Sequence, residues 1–237
     1  MGPRRLWIAG FALSCRVLLL EGCPVLPLYL IVLIILGLPA LFFLLFFNVG
    51  TLSLARLGLS PQAAFFVFAL SLVGSVVNIP VVSRRVITRR PFPFDFPFFF
   101  FYPPEITEQV IAVNVGGAVV PVLFSIYLIP RIRPLSLLIG VSTVTLVAYS
   151  VARPVPGRGI LMPAFVPPLV AAGVSMIVCR NDPAPLAYVS GTLGTLIGAD
   201  LLHLPAILRY GSGMLSIGGA GVYDGIFLVG ILAALLA

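Results

Sequence analysis

The chain has 237 residues, 60% of them hydrophobic and only 9% charged, with a mean hydropathy of +1.19. A soluble domain is usually about a quarter charged, so this composition excludes a chain that covers itself with polar surface and makes lipid its expected solvent. The net charge of +7 comes from fourteen basic residues, all arginine. They are scattered through the segments between apolar runs, which suits membrane topology rather than nucleic-acid binding. The three cysteines, Cys15, Cys23 and Cys179, lack the number and spacing of a disulfide framework or a zinc site.

Residues 1–23 read as a leader or interfacial segment. Arg4 and Arg5 precede a short apolar run, as in a signal peptide, but Arg16 and Glu21 interrupt it. Leu20-Glu21-Gly22-Cys23 is a poor match to a lipoprotein cleavage box because of Glu21. The expectation is a cytoplasmic or interfacial leader, followed by one transmembrane domain over residues 24–237.

About 20 apolar residues are needed to cross a bilayer as a helix. The pattern predicts an all-α polytopic bundle of about seven spans, near 25–47, 61–81, 108–129, 135–152, 160–179, 185–205 and 213–236. Pro104, Pro134, Pro183 and Pro185 fall near span starts, where a missing N–H is tolerated. Seven spans put Arg4, Arg5, Arg16, Arg84, Arg85, Arg89, Arg90, Arg153, Arg158 and Arg209 on one side, and Arg56, Arg131, Arg133 and Arg180 on the other. That asymmetry predicts a cytoplasmic amino terminus in a multi-pass protein of the cell membrane. The longest loop, around Phe92–Phe101, alternates proline with phenylalanine behind two arginine pairs. It reads as an interfacial belt, with gating or partner docking as the sharper alternative.

Two aspartates stand inside apolar runs: Asp200 after Gly198-Ala199, and Asp224 after Gly221-Val222-Tyr223. An intramembrane carboxylate marks an ion path or a proton relay by default. On a helix, Leu186, Leu193, Ile197 and Leu204 would form the lipid face. Gly191, Gly194 and Gly198 would form a helix-packing stripe. Thr192, Thr195 and His203 would lie toward the polar side. Ala220 and Gly221 occupy the turn before Asp224, leaving room beside its carboxylate. Counting depth along the spans puts both aspartates in the cytoplasmic half, roughly 18–22 Å from the ends where their spans begin. Asn78, Glu105, Glu108 and Asn114 are expected on the same side, so these groups are expected to converge on one polar cavity.

Two carboxylates in a low-dielectric site share a proton readily. A proton or small-cation carrier using Asp200 and Asp224 is the leading reading. An intramembrane aspartic protease using the same pair is an alternative, although the Gly-x-Gly-Asp motif is missed at both sites. A scaffold in which these groups only pack helices is another. Asp200 and His203, three apart, have a spacing that metal carboxylate proteins use, but a single histidine without other placed ligands implies no metal. No phosphate-binding or dinucleotide fingerprint appears, so no cofactor is implied.

Several segments resemble one family. They are Gly191-Thr-Leu-Gly-Thr-Leu-Ile-Gly-Ala-Asp200-Leu-Leu and Ser216-Ile-Gly-Gly-Ala-Gly-Val-Tyr-Asp224-Gly-Ile-Phe-Leu-Val-Gly-Ile-Leu, with Gly74-Ser75-Val-Val-Asn78-Ile-Pro80, Asn114-Val-Gly-Gly117 and Ala152-Arg-Pro-Val-Pro-Gly157 before them. Over about residues 50–237 the chain is similar to the membrane family catalogued as domain of unknown function 1614. The resemblance implies a polytopic fold and a prokaryotic cell membrane, and it brings no activity.

Overall fold

The computed structural model describes residues 31–88, 105–155, 159–209, 213–219 and 225–237. The Phe/Pro-rich loop, the leader and Asp224 with Ala220 and Gly221 lie outside them. The chain forms two compact units, Met1–Val49 and Gly50–Ala237. In the first, a π-helical turn (Leu33–Gly37) leads into helix α1 (Leu38–Arg56), which extends past the unit boundary. Its large apolar side chains from Leu33 to Leu45 are exposed. The helix continues nine residues beyond the expected end at 47. Its polar groups find partners without breaking it: Asn48 donates to the Leu44 carbonyl one turn back.

The second unit is mostly helical, but it is not all-α. After α2 (Pro61–Gly74) come strands β1 (Asn78–Thr88) and β2 (Glu105–Asn114). A π-helical turn (Val115–Val119) then leads into α3 (Val120–Leu128) and on to α4 (Pro134–Val151). The short strands β3 (Arg153–Val155) and β4 (Gly159–Leu161) pair with each other ahead of α5 (Val166–Val178). Helix α6 (Pro183–Thr195) continues as a π-helical turn (Leu196–Leu201) and is followed by the single turn α7 (Leu204–Ile207). Strand β5 (Gly213–Ile217) and helix α8 (Gly225–Leu236) complete the unit.

The expected spans 61–81, 108–129 and 213–236 are therefore each part helix and part strand. The local chemistry explains this. Val86-Ile87-Thr88 and Ile106-Thr107 with Val110-Ile111 are β-branched runs, which pack well on a pleated surface and lose side-chain freedom in a helix. β1 pairs antiparallel with β2 from Asn78↔Asn114 to Thr88↔Glu105, with a bulge between Pro80 and Val82. β1 is an edge strand, where a proline that cannot donate to a ladder is accommodated. β5 pairs parallel with β2 on the other side, Gln109↔Gly213 to Val113↔Ile217.

Helix α6 is the axis of the helical part. It packs against α3, α4, α5 and α8, and every residue from Ala184 to Thr192 is buried. The expected lipid face on α6 is corrected at Leu186, which is fully buried with its side chain against Gly140 of α4; Leu193, Ile197 and Leu204 are partly exposed. Exposure falls instead on α2 (Phe65, Phe66, Leu70), α3 (Leu123, Ile126), α4 (Leu135, Leu138, Leu146) and α5 (Leu169, Ile177).

Arginines close one end of this unit. Arg56 donates to the Leu235 carbonyl at the end of α8. Arg131, stacked on the Tyr127 ring, donates to the Leu57 carbonyl just past α1. Cations there satisfy last-turn carbonyls and oppose the negative end of the helix dipole. The carboxyl ends of α1, α3 and α8 therefore meet at one end. Among the described residues, two helices, Leu33–Arg56 and Pro134–Val151, are long and apolar enough to cross a membrane, and four others are shorter apolar helices.

Candidate functional site

A polar junction forms where the sheet gives way to the helices. Asn114 ends β2 and caps the turn that begins α3. Its Oδ1 accepts from the Gly117 amide at 2.8 Å, the usual service of an asparagine at a helix start. Its Nδ2 donates to the Ser75 carbonyl at 2.6 Å and to Asn78 Oδ1 at 3.1 Å. The side chain is buried, and these three bonds use both amide hydrogens and the carbonyl oxygen. Asn78 Oδ1 also accepts from the Ser216 hydroxyl of β5. One side-chain network therefore ties together the ends of all three strands. Asn78 and Asn114 meet because the register pairs them directly.

The close approach of α2 to the turn after Asn114 depends on glycine. Ser71 donates its hydroxyl to the Gly116 carbonyl. A Cβ at Gly116 would collide with the backbone of Ser71 and Ser75.

Asp200 reaches the junction from the π-helical turn of α6. Its Oδ2 accepts from the Gly218 amide at 2.7 Å. Gly218 has φ +84, a conformation glycine adopts without steric cost. Its Cα faces Ala118, so a side chain there would strike that residue. Gly219 lies against the Asn114 side chain. The Gly218-Gly219 turn thus runs between Asp200 on one side and Asn114 on the other. Beside it, Ala118, Leu196 and Ile226 form an apolar cluster with Val113, Val122 and Ile217, so the π-helical turns Val115–Val119 and Leu196–Leu201 contribute to one seam. π-Bulges often mark functional positions.

The other expected residues take different places. Glu108 is exposed on the β1–β2 hairpin, 4.0 Å from Arg85; it is six residues from Asn114 along the strand, about 20 Å away. His203 sits past the turn after α6. Its Nδ1 lies 3.1 Å from the carbonyls of Gly198 and Ala199, and its ring lies on Tyr149. Two carbonyl neighbours assign the proton to Nδ1. Thr192 and Thr195 are fully buried on α6. Gly194 and Gly198 face Val144, Thr145 and Ala148 of α4, whereas Gly191 faces Ala171 and Ala233. The three glycines therefore serve different neighbours. Asp224 and Gly221 lie outside the described residues. No three His, Cys, Asp or Glu side chains gather among the described residues.

Sequence reasoning passed over Ser71, Ser75, Ser216, Gly218 and Gly219. Ser75 and Ser216 stood within motifs already noted, beside Asn78 and Gly218. A serine inside an apolar run was the available signal for Ser71, Ser75 and Ser216.

The family model for proteins of unknown function, DUF1614, matches residues 72–236. The chain belongs to the DUF1614 family. The match contains Ser75, Asn78, Asn114, Asp200, Ser216 and Gly218, so apart from Ser71 the whole junction is part of the DUF1614 region. No curated protein and no solved structure matches the chain.

Proposed function

We propose that this DUF1614 protein is a multi-pass integral membrane protein of the cell membrane, amino terminus inside, acting as a small proton- or cation-coupled carrier. Asp200 is its ion-handling group, and Asp224, one residue before α8, is its partner. Asn78, Asn114 and Ser216 position the turn that carries Gly218.

The observation that carries this reading is the state of the Asp200 carboxylate. One oxygen is fixed by the Gly218 amide, and Oδ1 takes no hydrogen bond from the described residues. A carboxylate can accept about four hydrogen bonds, so the free oxygen is available to a proton, water or cation. The outward apolar side chains of α2, α3, α4 and α5 support lipid as the surrounding solvent, because soluble monomers rarely expose so continuous an apolar surface. Carriers commonly place such sites where helices are interrupted. The π-helical turn Leu196–Leu201, which carries Asp200 and breaks the α-helical bonding pattern after α6, is a local interruption of that kind.

Purified protein reconstituted into liposomes with a pH-sensitive dye inside tests the reading. Proton or alkali-cation flux is expected in the wild type and is lost in Asp200→Asn and Asp224→Asn. Equal flux in folded wild type and variants would eliminate the carrier reading. Cleavage of membrane peptides that depends on both aspartates would replace it with proteolysis.

A further inference from the structure

The carboxyl end of α4 carries a groove that takes no part in the Asp200 junction. Its walls are Ser150 and Val151 of the last turn, Arg153 of β3, and Leu161 of β4 with Met162 and Pro163 just past it, around a volume of about 510 Å³. A space of that size suits a small ligand or part of a larger one. Val151, Leu161, Met162 and Pro163 make the groove apolar, and Arg153 supplies its charge. The Arg153 side chain is exposed and has no hydrogen bond or ion pair among the described residues. Arg56 and Arg131, by contrast, are both held on carbonyls. Ser150 gives its hydroxyl proton to the Val147 carbonyl, so recognition of charge in the groove falls to Arg153.

The neighbours of the groove give its depth. Helices α4 and α6 run parallel: Gly140 meets Leu186, Val144 meets Gly194 and Ala148 meets Gly198. Both therefore end on the same side of the unit, and α7, which follows α6, packs against β3. Helix α4 is long and apolar enough to cross a bilayer. Its exposed Leu146 lies one turn before Ser150 on the same side of the helix. Tyr149, also exposed, lies in the last turn with its ring on His203. Leucine in hydrocarbon, tyrosine at the interface and arginine among phosphates is the order that a bilayer imposes along such a helix. The groove then lies at headgroup depth, with Leu146 on its hydrocarbon side.

We propose that this groove binds one anionic phospholipid, its phosphate on Arg153 and the first part of an acyl chain along Leu161, Met162 and Leu146. This rests on the membrane location proposed above and not on ion transport. A guanidinium pairs with phosphate oxygens through two parallel hydrogen bonds. A free phosphate would use the guanidinium and leave the apolar walls wet. A zwitterionic lipid would fill the walls but bring a second cation beside Arg153. A lipid with net negative charge matches both parts of the groove.

Native mass spectrometry of the full chain, released from nanodiscs that hold phosphatidylglycerol and phosphatidylcholine in equal amounts, tests the site. The wild type is expected to retain one phosphatidylglycerol in preference to phosphatidylcholine. Arg153→Gln should weaken that retention roughly tenfold, the loss expected for a charged hydrogen bond. Arg133→Gln, an equally exposed arginine at the other end of α4, should leave it unchanged. The register pairs Arg153 with Leu161, so Leu161→Glu sets a carboxylate across the ladder from the guanidinium. It should abolish retention even if Arg153→Gln disturbs folding. Equal retention in the wild type and both groove variants, or equal loss in Arg133→Gln, would overturn the site. Displacement of the lipid by soluble glycerol phosphate would assign the groove to a free phosphate and overturn the lipid. Lipid preference in a protein without ion flux would retain the groove and reject the carrier. A chain that stays in solution without detergent would overturn both.

Discussion

The backbone amide of Gly218 donates to Oδ2 of Asp200 at 2.7 Å, joining residues 18 positions apart. The bond fixes the turn after β5 to the π-helical turn of α6. It makes Asp200 both an ion-handling candidate and a structural anchor, and two substitutions separate those roles. Asp200→Ala removes the acceptor and leaves the Gly218 amide without it. A hydrogen bond to a charged group contributes about 1.5–3 kcal/mol, so a loss of about 2 kcal/mol is expected. Asp200→Asn keeps a carbonyl oxygen in place and should cost less than about 1 kcal/mol. Denaturant titration in detergent reads both, and equal losses would show that the bond does not hold the turn.

Asn114→Ala should be among the more damaging polar substitutions. It strands the Gly117 amide, the Ser75 carbonyl and one contact of Asn78 together. Each stranded buried group costs about 1–3 kcal/mol, and partial rehydration keeps the total near about 3 kcal/mol. Asn114→Asp keeps the cap to Gly117. It also replaces a donor by an oxygen facing the Ser75 carbonyl and Asn78 Oδ1. Both variants are therefore expected to unfold early in thermal melts, and Asp must not rescue Ala fully. Full rescue would reduce the network to a helix cap.

Glycine substitutions should split by what surrounds them. At Gly116 an added methyl meets the Ser71 and Ser75 backbone, which cannot swing aside. Gly116→Ala is expected to cost about 3 kcal/mol or more, at the upper end of overpacking. At Gly173, within α5, nothing among the described residues lies within 4 Å of an added methyl. Gly173→Ala should stabilise by up to about 1 kcal/mol through helix propensity. Melting temperatures of the two variants should move in opposite directions, and a harmless Gly116→Ala would refute the close approach of α2.

The sequence made some of this legible and hid the rest for definite reasons. The family relationship and the helix at Pro134–Val151 followed from local residues alone. Asn78 and Asn114 were both picked out as polar ligands, but their contact depends on strand register, which couples positions 36 apart. The strands themselves were obscured because a span and a buried strand are both apolar. The distinguishing signal was the β-branched run with Glu105, Glu108 and Gln109 interspersed, which suits a half-exposed hairpin better than a span. On α6 Leu186 was assigned to the lipid face although it is buried, because lipid and protein interior select the same side chains. Leu186 looks identical to the sequence in either solvent. Only its neighbours decide, and they come from α4.

Gly230 offers a test of the packing on the other side of α6. A methyl there would collide with Thr192 Oγ1 and lie 2.9 Å from Cε2 of Tyr188. Both residues are 0% exposed, so neither has open space to move into. Helix propensity favours alanine by about 1 kcal/mol, and overpacking opposes it by about 1–3 kcal/mol. The balance should make Gly230→Ala destabilising by about 1 kcal/mol. Thr192→Ala in the same chain removes Oγ1, the nearest obstruction. The double variant should therefore fall short of the sum of the two single losses, since residues in contact are not additive. A double-mutant cycle by denaturant titration measures that difference. Strict additivity would mean that Gly230 and Thr192 do not touch, and the close packing of α6 on α8 at this point would lose its support.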